Sequence, residues 1–149
     1  MFEQRQRWSN PDVAVRILEE FHVWAVVGCS PDPLRASHGV SRTLMRNGYE
    51  MIPIYPRDTE IHGIRSVPEV ATAAAQRPAD SPIEVVDIFR ASHRAGAHVD
   101  EAIAIGAKAV WLQLGVWDEE AAERAAAAGL LVVMDRCPAI DLAMLPRAS

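Results

Sequence analysis

Between Gly28 and Gly39 the chain reads Gly28-Cys29-Ser30-Pro31-Asp32-Pro33-Leu34-Arg35-Ala36-Ser37-His38-Gly39. These residue types suit an anion. Gly28 matches the first glycine of a dinucleotide fingerprint, but Ser30 stands where the second should be and the next glycine comes late. A small residue at position 30 still lets backbone approach a phosphate. The Ser30 and Ser37 hydroxyls can donate, and a helix starting here offers free N–H groups. Arg35 can add a charge-assisted fork to a diphosphate. The competing reading is a proline-rich turn that only links two elements.

A second cluster is Ile54-Tyr55-Pro56-Arg57-Asp58. NAD binders usually place an Asp or Glu at this point to hold the ribose hydroxyls. Here the first acid comes late, behind a cation. Arg57 suits a phosphorylated ribose, which both NADP and coenzyme A carry, and the residues leave those two open. The bland alternative for Arg57 is a solvated surface cation. Phe89-Arg90 and Gln113-Leu114-Gly115 complete the set of candidates.

Signs of catalysis are sparse. No two of the five His residues show the i, i+4 spacing with a carboxylate that zinc hydrolases use. No nucleophile elbow Gly-x-Ser-x-Gly occurs, since Gly28-Cys29-Ser30-Pro31-Asp32 fails at its last position. Asp87, Asp118 and Asp135 read as strand-end or capping residues. Cys137 follows Asp135-Arg136, and a nearby Arg can lower a thiol pKa. A buried, inert Cys137 is the expectation, as for most free cysteines. Cys29 lies nearer the candidate site and is counted with it.

These residues are placed by the elements around them. Asn10-Pro11-Asp12 reads as a cap, a first-turn proline and a dipole-compensating acid, opening a helix at about 11–21. Val23-Trp24-Ala25-Val26-Val27 lacks polar alternation, as a strand covered on both faces should. Val40, Leu44 and Met45 mark a helix face that Asn47-Gly48 closes. Met51–Ile54 is a second strand, with pairing expected to falter at Pro53. A turn and a short helix from about Pro68 follow. Ile83–Phe89 is the third strand, Ser92 the expected cap of a helix to Ile105, and Ala109–Leu114 the fourth strand. Asp118-Glu119-Glu120 opens a helix to Ala128, and Leu130–Met134 is the fifth strand. Strands alternating with helices imply an α/β, Rossmann-like, doubly wound parallel five-stranded sheet. In such sheets ligands bind at the carboxyl ends of the strands, where the strand order reverses. All the candidates above fall there.

Composition agrees with one domain spanning residues 1–149. Hydrophobic residues make up 50% and charged residues 23% of the chain, an ordinary globular balance. The net charge of −5 argues against a nucleic-acid binder working through bulk charge. Yet Arg35, Arg42, Arg46 and Arg57 face only Glu50 within their segment. A locally basic stretch in an acidic protein suits a small anionic ligand. The longest apolar run, Ala102–Val116, is broken by Gly106 and Lys108 and falls short of the ~20 residues a membrane helix needs. The polar N-terminus lacks the apolar core of a signal peptide, and two cysteines are too few for a disulfide scaffold. A reduced, cytoplasmic protein is expected.

Six segments in order carry a resemblance. They are Val26-Val27-Gly28-Cys29-Ser30-Pro31, Met51-Ile52-Pro53-Ile54-Tyr55-Pro56, Val86-Asp87-Ile88-Phe89-Arg90, Ala102–Lys108, Trp111-Leu112-Gln113-Leu114-Gly115 and Met134-Asp135-Arg136-Cys137-Pro138. From about Val23 to Leu142 the chain resembles the small stand-alone CoA-binding proteins, which are similar to the N-terminal domain of the succinyl-CoA synthetase alpha subunit. The resemblance implies coenzyme A, or a short acyl-CoA, held across the strand ends. Gly28 and Ser30 would then meet the phosphates, Arg57 the 3′-phosphate, and Phe89-Arg90 the diphosphate or pantetheine arm. Cys29 and Tyr55 depart from the Ala and Asn usual in that family. The synthetases also need a phosphohistidine domain and a partner subunit, and only seven residues follow Leu142 here. Non-catalytic binding is therefore the expectation. An NADP(H)-dependent oxidoreductase or redox sensor is the alternative, and a module that has lost its ligand is a third. The alanine-rich helix after Asp118 could support a homodimer, and a further protein partner is left open.

Overall fold

The computed structural model describes residues 2–146. Two helices open the chain, α1 (Phe2–Trp8) and α2 (Pro11–Glu20). The second starts as its sequence dictates: the Asn10 side chain accepts from the Asp12 N–H at 2.8 Å, and Pro11 fills a position that needs no donor. Ala14, Ile17 and Leu18 form its buried stripe. The chain then alternates through β1 (Val23–Val27), α3 (Ala36–Arg46), β2 (Glu50–Ile54), a hairpin of β3 (Glu60–Ile61) and β4 (Ile64–Arg65), α4 (Val70–Ala75), β5 (Val85–Ile88), α5 (Ser92–Ala104), β6 (Ala109–Leu112), α6 (Glu119–Ala127), β7 (Leu131–Val133) and α7 (Pro138–Ala143).

Five strands form one parallel sheet in the order β2-β1-β5-β6-β7. The chain leaves β1 outward to β2 and returns across it to β5, so the order reverses between β1 and β5. Every residue of β1, β5 and β6 is buried, which is why these segments read as unbroken apolar runs. One face packs on α4, α5 and α6 through residues such as Val27, Ile88, Val99 and Ala125. The other packs on α2 and α3 around Trp24 and Trp111, whose ring centroids lie 5.7 Å apart. Burying one large apolar side chain is worth about 1.5–3 kcal/mol, and both indoles are fully covered. The expected doubly wound sheet is therefore present.

Several local expectations need correction. Pairing does not falter at Pro53, which is in register with Val26. The Glu50 N–H bonds to the His22 carbonyl, so alternation turns residues 51 and 53 to the outer edge. There the Pro53 carbonyl accepts from Val67, and the missing N–H costs nothing. Ser92 does not cap α5, because Ala91 holds that position and no side chain bonds to it. The Ser92 hydroxyl instead accepts from the Trp117 N–H at 3.0 Å. Asp87 is neither a strand-end nor a capping residue; it lies inside β5, fully buried. The β3–β4 hairpin turns at His62 and Gly63, both at positive φ, and was not expected. Nor were α1 and α7. The small face of α6 packs inside the fold, with Ala121, Ala122 and Ala125 buried. Among the described residues no helix is long and apolar enough to cross a membrane.

Candidate functional site

At the carboxyl ends of β1, β2, β5 and β6 the sheet opens into a cavity of about 640 Å³. It spans the reversal between β1 and β5. Gly28, Ser30, Arg35 and Ser37 line it from the first loop and Tyr55 and Pro56 from the second, with Phe89 and Arg90 after β5 and Gln113 after β6. Nine of the eleven residues singled out from sequence thus meet around one space. The other two do not line it.

Cys29 is one of them. Its side chain is buried on the Trp24 face of the sheet. Burial pushes its thiol up to about 11, a bond from Ser41 offsetting only part of the effect. A neutral, enclosed thiol is a poor nucleophile. Arg57 is the other. It stands exposed just outside the lining, and its guanidinium donates to the Tyr55 hydroxyl at 3.2 Å. That bond lowers the Tyr55 pKa from its ordinary value.

The first loop is tied by its own side chains. The Ser30 N–H donates to Ser37 Oγ, the Asp32 N–H to Ser30 Oγ, and the Leu34 N–H to Asp32 Oδ1, at 2.9–3.0 Å. Both serine hydroxyls are therefore acceptors within the loop; the Ser37 hydrogen stays available to a ligand, while the Ser30 hydroxyl also lies within reach of Tyr55. The Ser30 N–H itself is spent. Gly28 has φ +75°, and a Cβ there would overlap the Phe89 carbonyl and lie 3.4 Å from Arg90 Cδ. Only glycine lets the ends of β1 and β5 approach so closely.

Two helices begin at the cavity wall, α3 behind Arg35 and α5 behind Ala91, and neither has a side-chain cap. Ala36 and Ser37, which carry the first N–H groups of α3, and Ala91, which immediately precedes α5, line that space, so the positive ends of both dipoles lie beside it. By contrast, α2 and α6 are capped by Asn10 and Asp118. Among the described residues Arg35, Arg57 and Arg90 take part in no ion pair, while Arg124 and Arg136 are held by Asp100 and Asp141. The arrangement gathers positive potential in an acidic protein, which is what a phosphorylated ligand requires.

Sequence reasoning missed part of the wall. Pro68 comes from the segment before α4, and Ala36, Ala91, Leu114 and Val116 add apolar surface. His98 lines the cavity from α5, with Nδ1 2.7 Å from Glu101 Oε1 but poorly aligned for a hydrogen bond. Its signal was weak: a polar residue at the margin of the Ala95, Val99, Ala102 stripe. Among the described residues there is no group of three or more His, Cys, Asp or Glu that could hold a metal ion.

Residues 22–143 match the model of the family described as CoA binding domain. The chain is 35% identical over 131 residues to YneT of Bacillus subtilis (strain 168), an uncharacterized protein, covering 87% of this chain and 93% of YneT. The structure of a hypothetical protein from Pyrococcus horikoshii OT3 superposes with a TM-score of 0.80 at 33% identity, covering 91% of this chain and 92% of that one. The structure of cell-free ID.343 from Thermus thermophilus gives 0.77 at 29% identity, covering 90% of this chain and 97% of that one. With most of its length matched by that model, the chain belongs to the CoA-binding domain family.

Proposed function

We propose that the cavity binds coenzyme A or a short acyl-CoA without turning it over. The observation that carries this reading is the convergence of two uncapped helix starts, α3 and α5, with Arg35 and Arg90 on one space at the strand-order reversal. A diphosphate over the tips of β1 and β5 takes up those N–H groups and the Ser37 hydroxyl hydrogen. Arg57, poised beside Tyr55, meets a phosphate on the ribose. Apolar residues such as Pro68 and Val116 line the remainder, and the volume suits a cofactor-sized ligand.

Binding without turnover is supported by the state of the thiol next to the first loop's glycine. Cys29 is enclosed and held protonated well above neutral pH. NADP shares the phosphorylated adenosine, so the ligand is tested through the position of its phosphate. Arg57→Ala should weaken coenzyme A at least fivefold and dephospho-CoA by less than twofold, read by calorimetry. Equal losses for both ligands would remove Arg57 from the ribose phosphate. Mass spectrometry of small molecules carried through purification supplies a second check, with coenzyme A or an acyl-CoA as the expected species.

A further inference from the structure

Asp87 is hard to explain by the needs of the fold. It sits mid-strand in β5, in register with Val26 on one side and Trp111 on the other, and it is fully buried. The core on its side of the sheet is built from Trp24, Val26, Trp111 and Val133. One carboxyl oxygen, Oδ1, accepts from Gln113 Nε2 at 2.5 Å. The other, Oδ2, has no hydrogen-bond partner. A half-satisfied carboxyl inside an apolar layer destabilises, and a branched aliphatic residue there would serve the fold better. What the carboxyl does hold is Gln113, which is 5% exposed yet reaches the cavity.

An amide has a donor end and an acceptor end. With one Nε2 hydrogen bonded to Asp87 the orientation of the amide is set, and its carbonyl oxygen is a free acceptor to which no described residue donates. Oδ1 can accept from Nε2 whether the carboxyl is charged or carries its proton on Oδ2. We propose that Asp87 is a positioning residue: it fixes the Gln113 carboxamide with its carbonyl oxygen toward the cavity, so that the floor presents an acceptor to a hydrogen-bond donor on the ligand's tail.

This rests on the coenzyme A reading, and the strand order says which part of the ligand is meant. The sheet runs β2-β1-β5-β6 across the cavity. A ligand whose ribose phosphate lies by Arg57, beyond β2, carries its diphosphate over β1 and β5. Its tail then arrives at β6, where Gln113 stands. The donors on that tail are the pantoyl hydroxyl, two amide N–H groups and the terminal thiol.

The test compares coenzyme A with adenosine 3′,5′-bisphosphate, which has the nucleotide end and lacks the tail. Gln113→Leu and Asp87→Leu should each lower the ratio of the two affinities at least tenfold, with the bisphosphate affinity unchanged. The exchange Asp87→Asn with Gln113→Glu should restore the ratio to within threefold. In that double variant the amide nitrogen introduced at position 87 donates to one carboxyl oxygen at position 113 and leaves the other as the acceptor. S-methyl-CoA on the unaltered protein tells the donors apart. Loss equal to that of Gln113→Leu identifies the thiol, and no loss identifies the pantoyl hydroxyl or an amide N–H. A ratio unmoved by Gln113→Leu, or an exchange no better than Asp87→Leu alone, overturns the proposal. Should Asp87→Leu fail to fold, Gln113→Leu and the exchange decide it. Failure of the unaltered chain to bind either ligand would overturn the coenzyme A reading as well, whereas normal binding with an unmoved ratio removes this inference only.

Discussion

Two pairs of helix starts, among the four longest helices, contrast with each other. In α2 and α6 the sequence finishes its own backbone: Asn10 accepts from Asp12, and Asp118 accepts from Ala121 at 3.0 Å. In α3 and α5 it does not, although these helices are longer, at 11 and 13 residues. Arg35 and Ala91 occupy the cap positions and offer no acceptor. Ser92 could have served α5, but its hydroxyl is turned to Trp117 and to the Gly115 carbonyl. Within these four helices the donors are closed away from the cavity and left open at it; the shorter α4 and α7 also start without a side-chain cap. An unfinished helix start costs about 1 kcal/mol, and a phosphate can return it.

The widest swing comes from a third unfinished group, which lies inside the sheet. Burial raises Asp87 from 3.8 to about 8, and its bond from Gln113 opposes this only in part. A raised folded-state pKa means the folded chain holds a proton that the unfolded chain has released between about pH 4 and pH 8. The contribution is fully present below about pH 4 and lost as pH rises through about 8. Asp87→Asn should therefore gain on the unaltered chain in thermal midpoint as pH rises from 5 to 8. A difference that is flat or shrinks would contradict this.

Gly28→Ala forces a side chain into positive φ and against the Phe89 carbonyl. The expected loss is about 2–4 kcal/mol in denaturant unfolding. Gly39→Ala is its control. That glycine lies inside α3 with open space around it, and the change should gain up to about 1 kcal/mol. Equal losses at the two sites would refute the close approach of β1 and β5.

Ala91→Asp cuts directly between the helix pairs by giving α5 the cap it lacks. Stability should rise by about 0.5–1 kcal/mol. Coenzyme A affinity should fall at least tenfold, about 1.4 kcal/mol, because a carboxylate then occupies the anion's place. Unchanged affinity would mean that the α5 start plays no part in binding. The smallest effect belongs to Asn10→Ala: about 1 kcal/mol of stability, with ligand affinity unaltered.

How much of this was legible in the sequence depends on the kind of signal. The sheet was, because β1, β5 and β6 are buried on both faces and must read as continuous apolar runs. The caps of α2 and α6 were, because one side chain and the next few N–H groups decide them. The site was legible where backbone direction alone places a residue, as for Gly28 after β1 or Arg90 after β5. It failed where side-chain direction decides. Cys29 follows Gly28 by one residue and turns into the core on the Trp24 face of the sheet. His98 comes from mid-helix, where no turn signal marks a wall. The β3–β4 hairpin has two-residue strands, too short for any alternation to register. For α1, the anchoring is tertiary: the Trp8 carbonyl accepts from the Met134 N–H, and Arg5 pairs with Asp135 at 2.8 Å.

The most direct measurement is a side-by-side calorimetric titration of the unaltered chain with coenzyme A and NADP, at one salt concentration. The two ligands share a phosphorylated adenosine and differ in the rest. The account expects saturable heat with coenzyme A and an affinity at least tenfold weaker for NADP. Saturable binding of NADP, with no heat from coenzyme A at millimolar concentration, would contradict it.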